Sequence, residues 1–236
     1  MLLSEFFDYL SYGPLAQHAV GIDDTGNIAN KDYPKVVSAL NLALTRLHTQ
    51  LPLKAGQLLV QTNTNQNLYT LSSKFAASKA PAEPDGVNRY ILDDSDPFGD
   101  DIITIDQVID EKGESYSLNN ENVEKSVFTP AFNRIQFSEP LDQVVTVTYR
   151  ANHAKLPLSK RLDPDSLEIE VPDFCMDALV FYCAYKLIST FDPTQSQVAA
   201  AYYSQFMNAV AEIEALGLLH SVLPKKSERF VRERWV

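Results

Sequence analysis

The residues best suited to bind a metal ion form an acidic run in the middle of the chain. Its carboxylates are Asp93, Asp94, Asp96, Asp100 and Asp101, and clustered carboxylates are the usual ligands of calcium and magnesium. Aligned on a calcium-binding EF-hand loop from Asp94, the run has Gly99 in the required sixth place. It has Phe98 where a ligand belongs, and its twelfth place is Ile105 instead of glutamate. The pattern favours a solvated turn between strands, and a metal-dependent enzyme is the alternative.

Other catalytic chemistry has little support in the sequence. The four histidines, which lie far apart, are His18, His48, His153 and His220. None has a cysteine or carboxylate at the spacing of a zinc site. The sequence contains no nucleophile elbow, metalloprotease, P-loop or dinucleotide-binding motif, and its 8 glycines leave few candidates for phosphate-binding loops. We therefore predict that the protein is not an enzyme and has no cofactor or metal.

The two cysteines are predicted to be small core residues. Cys175 and Cys183 lie eight positions apart in one predicted helix. At the rise of an α-helix their Cα atoms are about 12 Å apart, which is beyond the reach of a disulfide. Unpaired, buried cysteines are typical of a protein kept in a reducing cytoplasm.

Two helical segments near the C-terminus, residues 172–190 and 194–216, are apolar on more than one side. Their aromatic side chains are Phe181, Tyr182, Tyr185, Tyr202, Tyr203 and Phe206. Such residues could form a ligand cage, but on consecutive helices they more often belong to a core or an interface. A helix with so wide an apolar surface must be covered on several faces. We predict that these residues contact other subunits of an assembly.

The last thirteen residues, 224–236, combine positive charge with aromatic side chains. Five basic residues stand against two acidic ones, which gives +3 and leaves −14 for the rest of the chain, whose total is −11. A purely solvating tail has no need of the only tryptophan, Trp235, beside the final Val236. We therefore predict a docking arm in preference to a frayed terminus. Its predicted contact residues are Lys225, Lys226, Arg229, Phe230, Arg232, Arg234 and Trp235.

The composition is that of a globular protein with an acidic body. Of 236 residues, 45% are hydrophobic and 22% are charged, so the chain can build a sizeable core. A body this negative repels a phosphate backbone, which argues against DNA wrapping but suits a pore through which DNA slides. No stretch approaches about 18 uninterrupted apolar residues, and the first residues lack a basic region. We expect neither a membrane span nor a signal peptide.

Hydrophobic periodicity predicts helices at both ends of the chain and strands between them. Residues 4–12 form a short amphipathic helix, and residues 33–50 form a longer one with Asp32 as cap and Pro34 in its first turn. The two C-terminal helices follow, and Gly217 ends the second. Seven short segments with strand-like composition lie between the two pairs of helices: 57–62, 68–71, 89–92, 102–105, 115–118, 134–137 and 144–149.

This order predicts an α+β fold. Residues 1–53 and 172–217 would form one helical bundle, into which residues 54–171 insert as an antiparallel β-sandwich or barrel-like domain. Residues 218–236 would form an extended C-terminal arm.

The arrangement resembles the head-to-tail adaptor, or connector, proteins of tailed bacteriophages. The resemblance rests on helix 33–50 leading into Leu51-Pro52-Leu53-Lys54-Ala55-Gly56, on the segment Val144-Val145-Thr146-Val147, and on Ile169-Glu170-Val171-Pro172-Asp173 before an apolar helix, residues 177–185. It implies a homo-oligomeric ring, commonly dodecameric, that docks beneath the portal protein and continues the DNA channel toward a tail or nozzle protein. DNA would pass through without sequence-specific binding. The protein would be made in the host cytoplasm and reside at the head-tail junction of the virion.

Under this resemblance the arm docks on the portal and the C-terminal helices make the subunit contacts. Ring closure repeats a contact between two different faces of each subunit, which suits a helix that is apolar on opposite sides. A tail tube or stopper subunit of the same virion is the alternative within this class. No membrane partner is expected.

Overall fold

The computed structural model describes residues 1–16, 26–81, 85–93 and 96–221, except for the side chains of residues 220 and 221. The chain divides into two compact units: a helical unit, Met1–Leu53 with His153–Val236, and a β unit, Lys54–Asn152. The described residues form four α-helices and two four-stranded sheets, neither of which closes into a barrel. The predicted α+β class is confirmed at this level, and the barrel-like alternative is wrong.

The helices lie where hydrophobic periodicity predicts them. Their bounds are α1 Leu3–Tyr12, α2 Tyr33–Gln50, α3 Met176–Phe191 and α4 Ser196–Ala215. The continuous helix predicted from residue 172 is divided, because a 3₁₀ turn, Asp173–Cys175, precedes α3. The predicted stop after α4 is confirmed, since Gly217 adopts a φ of 65°, a conformation that glycine adopts at little cost.

The start of α2 differs from the prediction in one detail. Pro34 lies in the first turn, as expected. Asp32 makes no side-chain cap, because its backbone is already helical at the end of the 3₁₀ turn Asn30–Asp32. Its carboxylate instead accepts a hydrogen bond of 2.7 Å from Lys35 Nζ.

Helix α3 is the central helix of the helical unit. It contacts α1, α2 and α4, and one side of it is fully buried. The buried residues are Ala178, Leu179, Val180, Cys183, Ala184, Leu187 and Ile188. The chain itself therefore covers most of the apolar surface of α3, whereas Phe181, Tyr182 and Tyr185 are half-buried and Phe191 is 39% exposed. By length and composition alone Asp173–Phe191 would also suit a membrane span, a criterion that core helices meet as well, and 50% of the window is buried here.

Helix α4 is covered on one face only. Phe206, Val210 and Ile213 are buried against the rest of the unit. Val198 and Met207, on opposite edges of that face, are more than one third exposed, and Ala200, Ala201, Ala211 and Ala215 on the outer side are exposed too. Both helices that the sequence predicts to make subunit contacts therefore keep exposed apolar surface, α4 along its outer side and α3 at Phe191.

The described residues of the β unit form eight strands in two sheets. Their bounds are β1 Ala55–Gln61, β2 Leu68–Thr70, β3 Ile91–Leu92, β4 Ile102–Ile109, β5 Ser117–Leu118, β6 Ser126–Ala131, β7 Arg134–Phe137 and β8 Val144–Ala151. The sheet orders are β3-β1-β8-β4 and β2-β7-β6-β5. Strand β6 is missing from the sequence prediction because Pro130 breaks its pattern. The prediction of purely antiparallel pairing is wrong for β5 and β6, which pair in parallel.

Both sheets contribute to one hydrophobic core. Val60 and Val147 belong to the first sheet, and Ile135 and Phe137 belong to the second. In β8 every second residue is buried, which is the period of a strand with one buried face. Gly56 in β1 lies opposite Tyr149 in β8, and a Cβ at position 56 would come within 2.8 Å of Tyr149 Cε1. Position 56 therefore requires glycine, because any side chain there would overlap the Tyr149 ring.

The two ends of the β unit lie side by side. Ala55 pairs with Arg150 in the ladder between β1 and β8, and Ala151 N donates to Lys54 O at 2.9 Å. The unit ends at Asn152, whereas the sequence prediction extended it to residue 171.

Residues 153–171 belong to the helical unit, and hydrogen bonds attach them to other residues of that unit. Leu156 N donates to the side chain of Asn41, and Asn41 Nδ2 donates back to Leu156 O, each at 2.9 Å. Ile169 N donates to Met1 O at 2.8 Å.

Candidate functional site

The acidic run of the β unit uses its carboxylates as structural hydrogen-bond acceptors. Asp93 is 4% exposed. Its Oδ1 accepts from Ser78 N at 2.8 Å, and its Oδ2 accepts from Ser78 Oγ at 2.6 Å and Phe98 N at 2.8 Å. Burial alone would raise the pKa of the Asp93 carboxyl, but these hydrogen bonds outweigh it and hold that pKa below its usual value.

Two further carboxylates of the run are engaged elsewhere. Asp100 accepts from both the backbone N and the Oγ of Ser73, at the start of a second 3₁₀ turn, Ser73–Phe75. Asp101 Oδ1 accepts from the Tyr149 hydroxyl at 3.0 Å. The three carboxylates therefore serve separate protein donors.

The metal-enzyme alternative gains no support from this arrangement. Asp94 lies outside the described residues. Among the residues that are described, no three histidine, cysteine, aspartate or glutamate side chains are grouped so that they could hold a metal ion.

Two of the four histidines meet in the helical unit, a pairing that their sequence spacing does not reveal. The rings of His48 and His153 have centroids 5.8 Å apart, and both residues are buried. His153 Nε2 lies 3.1 Å from Thr45 Oγ1 and 3.1 Å from Asn41 O. These contacts fasten the chain to α2 just after the β unit. His18 and the side chain of His220 lie outside the described residues.

Both cysteines are fully buried in the core of the helical unit, as predicted. Burial raises the pKa of the Cys175 thiol to about 12 and raises that of Cys183 further. Since the thiolate is the nucleophilic form, neither cysteine is suited to act as a catalytic nucleophile.

The six aromatic residues predicted at a subunit interface pack against one another between α3 and α4. The ring centroids of Tyr182 and Phe206 are 4.9 Å apart, and those of Tyr185 and Tyr203 are 5.1 Å apart. Phe206 is 0% exposed, so it has no surface for a neighbour and belongs to the protomer core. The other five are half-buried: Phe181, Tyr182, Tyr185, Tyr202 and Tyr203. Their subunit contacts stay a prediction.

The predicted portal-docking residues cannot be placed. Lys225, Lys226, Arg229, Phe230, Arg232, Arg234 and Trp235 all lie outside the described residues. The docking role of the arm therefore stays a prediction from its sequence.

An apolar groove of about 510 Å³ lies between α2 and α3, and we name it the lysine-flanked groove. Its exposed apolar residues are Leu42, Leu158 and Phe191, of which Leu158 is 61% exposed. Lys35 and Lys186 lie at its edges. Lys35 Nζ lies 4.7 Å from the centroid of the Phe191 ring, and Lys186 Nζ lies 5.1 Å from that of Tyr185. Such an exposed apolar surface with a polar rim is typical of an interaction site.

The outer side of α1 carries a second exposed surface, which we name the tyrosine face. Tyr9 is 60% exposed and Tyr12 is 69% exposed. Glu5 and Asp8 lie beside them and line a shallow depression with the same tyrosines. The opposite side of α1, which includes Leu3, Phe6, Phe7 and Leu10, is buried. The sequence does not predict this surface, because periodicity alone leaves open whether Tyr9 and Tyr12 face solvent or a partner element.

Comparison with known proteins adds no relative. No protein-family model matches the chain, and no curated protein matches it.

Proposed function

We propose that the chain is a structural virion protein, a ring-forming head-to-tail adaptor of a tailed bacteriophage. It docks under the portal, extends the DNA channel toward the tail and carries out no catalysis. One observation carries the proposal. The terminal helices α1 and α2 share a single hydrophobic core with α3 and α4, although the β unit separates them in sequence. This is the order of elements on which the resemblance to the adaptors depends.

We also propose a finer architecture for the two units. The four helices act as a bundle, since α3 contacts each of the others. The two sheets form a sandwich, since their inner residues belong to one core cluster. The adaptor resemblance implies a helical bundle with a β domain, and the series of short strands predicts the sandwich.

The distribution of charge supports a channel protein. The chain outside the arm carries −14 and the arm carries +3. An acidic wall lets DNA slide because it does not attract the phosphate backbone. The basic arm and its aromatic residues then bind the portal by a different chemistry.

The described residues with catalytic potential serve the structure of the protomer. Asp93, Asp100 and Asp101 fix loops of the β unit, the cysteines lie in a core, and His153 fastens a connecting segment. These groups are committed to structure. The uncovered surfaces of the chain are apolar, aromatic and charged, which is the composition of contact surfaces.

The test is binding to a purified portal ring of the same phage, followed by sedimentation and by electron microscopy of the complex. We expect the full chain to decorate one end of the ring and a variant lacking residues 224–236 to bind at least tenfold more weakly with unchanged circular dichroism. A variant with only Lys112→Glu, in a loop of the β unit, is the matched control. A chain that stays monomeric and also fails to bind the portal ring would disprove the proposal. A position lower in the particle would instead indicate a tail tube or stopper subunit.

A further inference from the structure

We infer that the lysine-flanked groove of one copy binds the tyrosine face of the next copy. The inference rests on the proposed function, because it names the contact that would join neighbouring subunits of the ring. Both surfaces belong to the helical unit.

The groove has the properties of a docking surface. It has a volume of about 510 Å³, which lies in the range of pockets that hold aromatic groups. Leu42 and Leu158 are each more than half exposed, and Phe191 is 39% exposed. Lys186 has no carboxylate within ion-pair distance among the described residues. The groove therefore offers apolar contact area and an uncompensated positive charge.

The tyrosine face has the complementary properties. Tyr9 and Tyr12 are three residues apart and lie on one side of α1, so both rings can enter the same groove. Glu5 and Asp8 precede them on that side and are exposed. Neither carboxylate has an ion pair with a lysine or arginine of the described chain. The acidic, aromatic face thus matches a basic, apolar groove in charge and in polarity.

The charge also decides against the arm as occupant of the groove. Residues 224–236 carry +3 and would meet Lys186, which has the same sign and no ion-pair partner among the described residues, whereas Lys35 is paired with Asp32. Like-charge contacts of this kind disfavour a complex. The tyrosine face is negative and belongs to the helical unit itself.

The geometry of α3 requires two copies for this contact. Asp177, near the start of α3, lies in a depression together with Glu5 and Tyr9 of the tyrosine face. Leu187, ten residues further on, lines the groove. The corresponding distance along the helix axis is about 15 Å, so the two surfaces of one protomer cannot bind each other. A contact between different surfaces of successive copies is heterologous and closes into a ring when the rotation allows it.

The first test traps the contact with a short bismaleimide cross-linker. Copies of the full chain with Tyr12→Cys are mixed with copies with Leu158→Cys, and both native cysteines are buried. We expect a covalent dimer in the mixture that exceeds the dimer formed by either variant alone and that decreases in high salt. The matched control replaces Leu158→Cys with Phe132→Cys, which is exposed in the β unit. An adduct no stronger than the control pair would overturn the inference.

The second test exchanges the charges. Lys186→Glu and Asp8→Lys should each weaken self-association about tenfold, measured by sedimentation velocity. A mixture of the two variants should recover association to within about threefold, because alternating copies place opposite charges across every contact. The two substituted positions meet in one contact, and the native Lys186 and Asp8 meet in the next. Lys112→Glu is again the control and should have no effect. Unchanged association of Lys186→Glu and Asp8→Lys would overturn the inference.

The outcomes separate this contact from the proposed function. Portal-bound rings that form normally with Lys186→Glu would disprove the contact and leave the adaptor role intact. A specific adduct from a chain that never binds the portal would keep the contact and disprove the adaptor role. A synthetic peptide of residues 224–236 that protects Leu158→Cys from the cross-linker would show that the arm occupies the groove, which overturns the inference.

Discussion

Ser78 and Asp93 are joined by two hydrogen bonds, one from the backbone N at 2.8 Å and one from the Oγ at 2.6 Å. The pair connects a 3₁₀ turn, Ala77–Lys79, to the residue that follows β3. A third hydrogen bond, from Phe98 N, reaches the same carboxylate. Asp93 thus links two segments of the β unit through three hydrogen bonds.

Asp93→Asn should destabilise the β unit. Asparagine cannot accept all three hydrogen bonds, since its amide nitrogen is a donor, and a buried donor that loses its partner costs about 1–3 kcal/mol. The measurement is urea denaturation with hydrogen exchange on peptides from residues 54–152. Asp96→Asn is the control, because Asp96 is exposed, and it should stay within about 0.5 kcal/mol of the parent.

The contribution of Asp93 should depend on pH. Its pKa is lowered in the folded chain, so the folded state binds the proton less tightly than the unfolded state. The stabilisation is therefore complete above the unfolded pKa of about 3.9 and is lost as the pH falls through the lower folded value. The difference in stability between the parent and Asp93→Asn should be constant from pH 7 to pH 5 and shrink below pH 4. A constant difference down to pH 2.5 would contradict the assigned cause.

Gly56→Ala should weaken the ladder between β1 and β8. The added Cβ would overlap the ring of Tyr149, and forcing extra volume into a packed site costs about 1–3 kcal/mol. Gly99→Ala is the control, since a Cβ there meets nothing within 4 Å. The same denaturation experiment measures both. Adding Tyr149→Val to Gly56→Ala should cost less than the two separate changes together, and full additivity would show that the ring is not the cause.

Phe206→Ala should destabilise the helical unit by about 3–5 kcal/mol, the usual cost of removing a buried phenylalanine. Met207→Ala on the exposed side of α4 should have little effect on stability. Thermal unfolding of the two variants separates a protomer-core role from an interface role. If Phe206→Ala unfolds like the parent and loses only self-association, the core assignment is wrong.

Neither native cysteine should react with a thiol reagent in the folded chain at pH 8. Both are fully buried, and their raised pKa values keep them protonated. Titration with dithionitrobenzoate should detect no thiol before denaturation and 2 afterwards. The Tyr12→Cys variant should show a single fast thiol, which verifies that the cross-linking experiment reads only the introduced site.

The sequence predicts the positions of helices and strands better than it predicts which distant residues contact one another. The helix α2 has a regular apolar repeat and a proline in its first turn, and both signals are local, so its bounds match the prediction. The pairing of Ser78 with Asp93, and that of His48 with His153, joins residues that the chain brings together only on folding. Periodicity does not encode such contacts.

The candidate surfaces illustrate the same limit. The apolar width of α3 predicts that the helix must be covered, but it does not say by what. In the structure α1, α2 and α4 cover it, and the exposed apolar area lies at Leu42 and Leu158, which no repeat distinguishes. The tyrosines of α1 are visible in the sequence, but only packing shows which of its sides faces solvent.

The adjacency of Lys54 and Ala151 has a consequence for how the gene can change. The inserted segment begins and ends at neighbouring positions, so for the helical unit it is a closed loop. The free-energy cost of closing such a loop depends only weakly on its length. The N-terminal and C-terminal helices should therefore still pack together if the residues between those two positions are shortened, lengthened or replaced. Substitutions and length changes in the middle of the chain can therefore leave the packing of the helical unit unchanged.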